Sequence, residues 1–208
     1  LLKNTIGIFL AGSYARGEET EFSDIDVLIV TDNINEQIKK GKYEIIFISK
    51  DRLEKSIRTS LYFISLINEA KAILNYNLLN YYKNKIKIVL IKKHLDEIKS
   101  MTKINEKFIE IDKEMGEKVL DETLYSLILR LRELYLIECL RSRKNPTKKS
   151  FMDLIKRIAS EESYNAYLRI KNDLKSKKIV PLKEAMALID EIKRRVKNEK
   201  THLCRADF

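Results

Sequence analysis

Two hydrophobic spacings divide the chain. Up to about residue 77, short apolar runs rich in β-branched residues alternate with turns: Thr5 to Ala11 (TIGIFLA), Asp26 to Thr31 (DVLIVT) and Tyr43 to Ile48 (YEIIFI). Runs of this length and composition predict strands. Gly12-Ser13 closes the first, Asp32-Asn33 closes the second, and Gly41 precedes the third. Helices are expected from Asp51 to about Arg58 and from Ser60 to Ala70, with Ala72 to Leu74 as a fourth short strand. Beyond residue 77, Gly and Pro become scarce. Leu124, Leu127, Ile128, Leu131, Leu134, Tyr135 and Cys139 recur at steps of three and four, the spacing of a helix face. Asn145-Pro146-Thr147 ends that helix, and Thr147 can cap the next. Val180-Pro181 marks a second break. Helices are expected over roughly 86–100, 104–143 with a break near Gly116, 148–159, 161–177 and 181–200. The expected fold class is α+β: a small mixed β-sheet domain, 1–77, followed by an all-α helical bundle domain, 78–208.

Composition narrows the setting. The sequence has 208 residues, 44% of them hydrophobic and 35% charged, enough for a real core within one large or two small domains. No apolar run is long enough to cross a bilayer, so no membrane partner is expected. The sequence opens at Leu1 without a methionine, and a leader segment is not judged from it. Two cysteines, Cys139 and Cys204, make neither a disulfide framework nor a zinc site, and a reducing, cytoplasmic location is the expectation. The net charge of +10 suits polyanionic partners such as nucleic acid, NTP phosphates or an acidic protein. The lysines are spread along the whole chain, so solvated helix faces explain the charge as well as a nucleic-acid surface does.

The chemistry is concentrated in Ala11 to Val30, AGSYARGEETEFSDIDVLIV. A strand ends in Gly12-Ser13. Without a Cβ, Gly12 lets the backbone approach a phosphate closely. A helix beginning there would aim free N–H groups at that phosphate, with the Ser13 hydroxyl as a further donor and Arg16 as a cation. Arg16 could instead pair with Glu18 or Glu19. Asp24 and Asp26 stand two apart, so on a strand both carboxylates project to one face and call for a divalent cation between them. Ile25 and Val27 are expected to point the other way, into the core. Glu44 is a lone acid in an apolar run, costly to bury without a partner, and the site at Asp24 and Asp26 would supply one. Each piece alone is commonplace: Gly-Ser is a turn, and Asp-x-Asp an exposed strand end. Their coincidence in order and spacing is the informative signal.

These residues resemble the nucleotidyltransferase superfamily of the DNA polymerase β type. Ala11-Gly12-Ser13, a ten-residue spacer, Asp24-Ile25-Asp26-Val27 and the later acid Glu44 follow its signature. Gly-Ser-x-Ala-Arg-Gly followed by Ser-Asp-Ile-Asp is similar to the minimal nucleotidyltransferases of bacteria and archaea. The likeness covers roughly residues 4 to 76. Ala11 is smaller than the residue often found there, the third acid is Glu rather than Asp, and the usual helix before the first strand is missing or truncated. The resemblance implies NMP transfer from an NTP to an acceptor hydroxyl, with Asp24, Asp26 and Glu44 as catalytic residues and ligands of Mg²⁺ or Mn²⁺. Gly12, Ser13, Arg16 and Ser23 would bind the phosphates. Protein, small molecule and RNA are the acceptors in order of expectation, and assembly into a homo-oligomer stays open. A non-catalytic nucleotide-binding or antitoxin-like module is the alternative. Arg130, Arg132 and Glu133 lie on a helix like that of helical domains that accompany such enzymes. Arg195 and His202 match the Arg–spacer–His pattern of helical ribonucleases of the HEPN class, except that Val196 replaces the polar residue after the Arg.

Overall fold

The computed structural model describes residues 4–86, 91–114, 116, 118–142, 144 and 146–206. The chain forms two compact units, Leu1–Leu90 and Ile91–Phe208.

The first unit is built on a mixed five-stranded sheet in the order β3-β4-β2-β1-β5. Strand β1 (Thr5–Ala11) runs antiparallel to β2 (Ile25–Thr31), with Ala11 opposite Asp26. Between them lies the short helix α1 (Gly12–Arg16), ended by Gly17 in the left-handed region (φ 71°), where Gly has no Cβ penalty. Strand β4 (Tyr43–Ser49) runs parallel to β2, and β3 (Glu36–Lys40) forms the outer edge antiparallel to β4. Strand β5 (Lys71–Leu74) closes the other edge against β1. Helices α2 (Lys50–Thr59), α3 (Leu61–Glu69) and α4 (Tyr76–Lys85) supply the second layer. Phe9, Leu28, Val30 and Ile48 of the sheet form one buried core with Leu53, Ile57, Ile67 and Leu79 of the helices. Each such side chain, fully buried, stabilises by about 1.5–3 kcal/mol.

Two elements of this unit differ from the sequence expectation. β3 was not expected: Glu36-Gln37-Ile38-Lys39-Lys40 offers one apolar residue, so an exposed edge leaves no alternating signal. α4 occupies residues 76–85, across the point where the chain changes character. It starts at Asn75, which takes φ 65° and accepts the Leu78 N–H on its side chain. A third difference concerns the core. Ile25 and Val27 do face away from Asp26, but they are only partly buried. The covered face is that of Asp26 itself, continued inward by Leu28 and Val30. Alternation separates two faces without saying which one the helices cover.

The second unit is helical. Helix α5 (Ile91–Glu114) is continuous where a break near residue 100 was expected, and the break near Gly116 is present. Then come the two-residue strand β6 (Lys118–Val119), α6 (Asp121–Arg141), α7 (Lys148–Ile158) and α8 (Glu161–Lys171). Strand β7 (Val180–Pro181) pairs with β6 and leads into α9 (Leu182–Ala206). Thr147 caps α7 through the Ser150 N–H as expected. Asp121 is fully buried at the start of α6. Arg169 of α8 grips it with Nε at 2.6 Å and Nη2 at 2.9 Å, and the Lys177 N–H adds a third bond at 2.9 Å. A buried carboxylate is tolerated when donors satisfy it in this way. Among the described residues, no helix is long and apolar enough to cross a membrane.

Candidate active site

The site grows out of the turn from β1 into α1. Gly12 has φ +63°, and a Cβ placed on it would lie 1.8 Å from Asp26 Oδ2 and 2.8 Å from its Cγ. The Asp26 carboxylate therefore rests against the backbone that opens α1, a position only glycine leaves free. Ser13 follows directly, half-buried, as the second residue of that helix. The start of a helix carries unpaired N–H groups and a partial positive charge, so a carboxylate or a phosphate is favoured there.

Glu44 lies opposite Asp26 in the parallel pairing of β2 and β4. Directly paired residues share a face, and neighbouring strands stand about 4.8 Å apart, so the two acids are adjacent on the helix-covered side. Asp24 sits just before β2 on the same side by alternation. The edge strand β3 meets these acids with its own side chains. Gln37 Nε2 donates to Glu44 Oε1 at 2.5 Å, and Lys39 Nζ donates to Asp24 Oδ2 at 3.1 Å. The structure thus brings Asp26 and Glu44 together and holds Asp24 on Lys39. Among the described residues, no group of three acids, histidines or cysteines is arranged to hold a metal ion. The Lys39–Asp24 pair is open to water, with the lysine side chain 63% exposed. Exposed pairs contribute about 0–1 kcal/mol, so this contact exchanges readily.

Arg16 and Ser23 are engaged elsewhere. Arg16 donates from Nε to Glu18 at 2.7 Å and from Nη1 to Glu69 at 2.5 Å, fastening α1 to the end of α3. Burial works against its charge, and the two carboxylates outweigh that, leaving its pKa above the usual value. Ser23 Oγ accepts the Thr20 N–H at 2.8 Å and holds the turn that leads to Asp24. Sequence reasoning missed Tyr62, the second residue of α3. Its pKa is pushed up to about 12, first by burial and then by the negative fields of Glu44, Asp26 and Glu69. The phenol is half-exposed and stays a proton donor across the physiological range. In sequence it belongs to the apolar helix LYFISLINE, which reads as plain core; Gln37 and Lys39 lay in an unrecognised strand.

In the helical unit Arg195 is buried and divided between Glu138, at 2.5 Å from Nη1, and Glu191, at 2.7 Å from Nε. His202 is exposed two turns further along α9. The guanidinium joins α9 to α6, and its contacts are those of a packing residue.

A mixed sheet that sets a glycine–serine turn against in-register acids is the architecture expected of a nucleotidyl-transferring domain. The family model for the nucleotidyltransferase domain matches residues 1–163, and the chain belongs to that family. No curated protein matches the chain. Among solved structures it is similar to a nucleotidyltransferase-like protein from Exiguobacterium sibiricum 255-15, with 10% identity and a TM-score of 0.42. That likeness covers 94% of this chain and 70% of the other.

Proposed function

We propose that this protein transfers NMP from an NTP to an acceptor hydroxyl, releasing pyrophosphate, with a protein as the first-ranked acceptor. The observation that carries this reading is the contact of Asp26 with the Gly12 backbone while Asp26 stands in register with Glu44. It supports reading the turn as the phosphate site and the neighbouring acids as the metal site.

In this reading Gly12 and Ser13 bind the triphosphate through backbone N–H groups and a hydroxyl. Asp24, Asp26 and Glu44 would hold Mg²⁺ or Mn²⁺. Their all-oxygen donor set fits these hard cations, and the exposed Lys39 ammonium already occupies a cation position on Asp24. When bound, the ions supply charge neutralisation at the phosphates and a lowered pKa at the acceptor oxygen. Glu44 would ligate a metal ion or take the acceptor's proton. Tyr62, protonated beside the acids, offers a neutral donor at the same wall. Catalysis would then be mainly positioning and charge neutralisation, as in phosphoryl transfer at large.

The test is incubation with each labelled NTP, Mg²⁺ and cell lysate, for the parent and Asp26→Asn. Label should enter protein with the parent, and the variant should lose about a hundredfold or more of that transfer. Label in RNA or in a small molecule reassigns the acceptor. Absence of transfer with every NTP and acceptor pool would favour the non-catalytic nucleotide-binding module.

A further inference from the structure

Helix α5 has two apolar faces, and its own fold covers one. Leu95, Ile98, Thr102, Asn105, Ile109 and Asp112 are buried. Ile104, Phe108 and Ile111 are 46%, 53% and 52% exposed. Steps of four and three place these three on a single stripe, roughly 110° around the helix from the buried face. Large apolar side chains at this spacing, left in water, have the pattern of a helix–helix seam. Val119 pairs with Val180, and the residues beside that pair, Leu120 and Ile179, are 42% and 40% exposed. Asp112 accepts from the Leu120 N–H at 3.4 Å and from Lys178 Nζ at 2.7 Å, which pins this ladder to the last turns of α5.

We propose that the outer face of α5 pairs with α5 of a second copy of this chain, antiparallel, with Phe108 of one copy in the layer of Ile111 of the other. Charge selects this partner and this direction. Lys107 and Glu114, both exposed, border the stripe seven residues apart. In the antiparallel register each Lys107 faces Glu114 of the other copy, and the two-fold axis repeats the pair. A parallel pair would turn Lys107 toward position 112, where Asp112 is buried and bound to Lys178. The same exposed flank carries Lys103 and Lys107 beside Glu110 and Glu114, so it has no net positive charge to draw an anionic lipid surface. One helix pair buries less than the roughly 1,200 Å² of a standard interface, so the dimer is weak and reversible.

Sedimentation equilibrium of the full chain, from low to high micromolar concentration, tests this. The parent should show a reversible monomer–dimer equilibrium, and Phe108→Ser should abolish it. Lys107→Glu turns two attractions into two repulsions and should weaken dimerisation about tenfold; Glu114→Lys should do the same. The double swap Lys107→Glu with Glu114→Lys should restore the parent value within about threefold. All of these positions are exposed, and circular dichroism checks that each variant is folded. A parent that stays monomeric, a dimer indifferent to Lys107→Glu, or a double swap without rescue each overturns the proposal. So does a monomer that co-floats with phosphatidylserine vesicles through Phe108.

Discussion

Replacing Gly12 by Ala separates the cost of a strained backbone from the cost of a displaced carboxylate. The added Cβ would stand 1.8 Å from Asp26 Oδ2, against the 3.0 Å that real Cβ contacts essentially always exceed. Asp26 must therefore retreat by about 1.2 Å, and misplacing a reacting group by about 1 Å can cost on the order of a hundredfold in rate. The left-handed φ adds roughly 1–2 kcal/mol of instability for any residue with a Cβ. Gly41, in the β3–β4 turn, is the control: its φ is +58°, and a Cβ there meets nothing within 4 Å. Gly41→Ala should show the strain without the displacement. Both variants should melt lower, by roughly 4–8 °C per kcal/mol for a unit of this size. Only Gly12→Ala should lose nucleotidyl transfer, by about a hundredfold. The assay is labelled-NTP transfer beside a thermal melt of the same samples. Parent-like transfer by Gly12→Ala would sink the placement of the site, and equal losses in both variants would reduce it to general destabilisation.

Further outcomes can be checked independently. Ser13→Ala should weaken NTP binding in a titration while leaving the melting temperature within a few degrees of the parent; unchanged affinity removes Ser13 from the phosphate site. Arg169→Met strips the fully buried Asp121 of its two strongest donors and should destabilise the helical unit by about 3–5 kcal/mol in urea. A small effect there would mean that the Lys177 N–H and water satisfy the carboxylate without Arg169. Hydrogen bonds from Arg194 and Arg195, the first of them stronger, hold Glu191 down at about 2 against burial. A depressed carboxylate contributes stability above its unfolded value near 4.5, and that stability is lost as pH falls from about 4.5 to about 2. Acid titration followed by circular dichroism should therefore show Glu191→Gln with a shallower loss than the parent over that window.

The parts legible in the sequence were those written in contiguous residues. β1, β2 and β4 show as apolar runs, and the order of Gly12-Ser13, Asp24, Asp26 and Glu44 can be read along the chain. The pairing of Asp26 with Glu44 needed the parallel register of two strands, which no local pattern encodes. Gln37, Lys39 and Tyr62 reach the site only through tertiary packing, from an edge strand with one apolar residue and from a helix that reads as core. Arg16 is a mixed case. The sequence offered it phosphate or a nearby acid, and Glu18 is indeed one partner, while its other partner, Glu69, lies 53 residues away and becomes a neighbour only when α3 packs against α1.

The sheet order has a consequence for synthesis. β1 is an interior strand, flanked by β2 and by β5, and β5 follows about sixty residues after β1 ends. At the usual pace of about 5–20 residues per second, β1 waits roughly 3–12 seconds for its second neighbour to be made. During that interval its far edge, with Ile8 and Leu10, has no strand to pair with. The nascent chain is then most open to pairing with other chains, and the wait ends only once Lys71–Leu74 has cleared the ribosome.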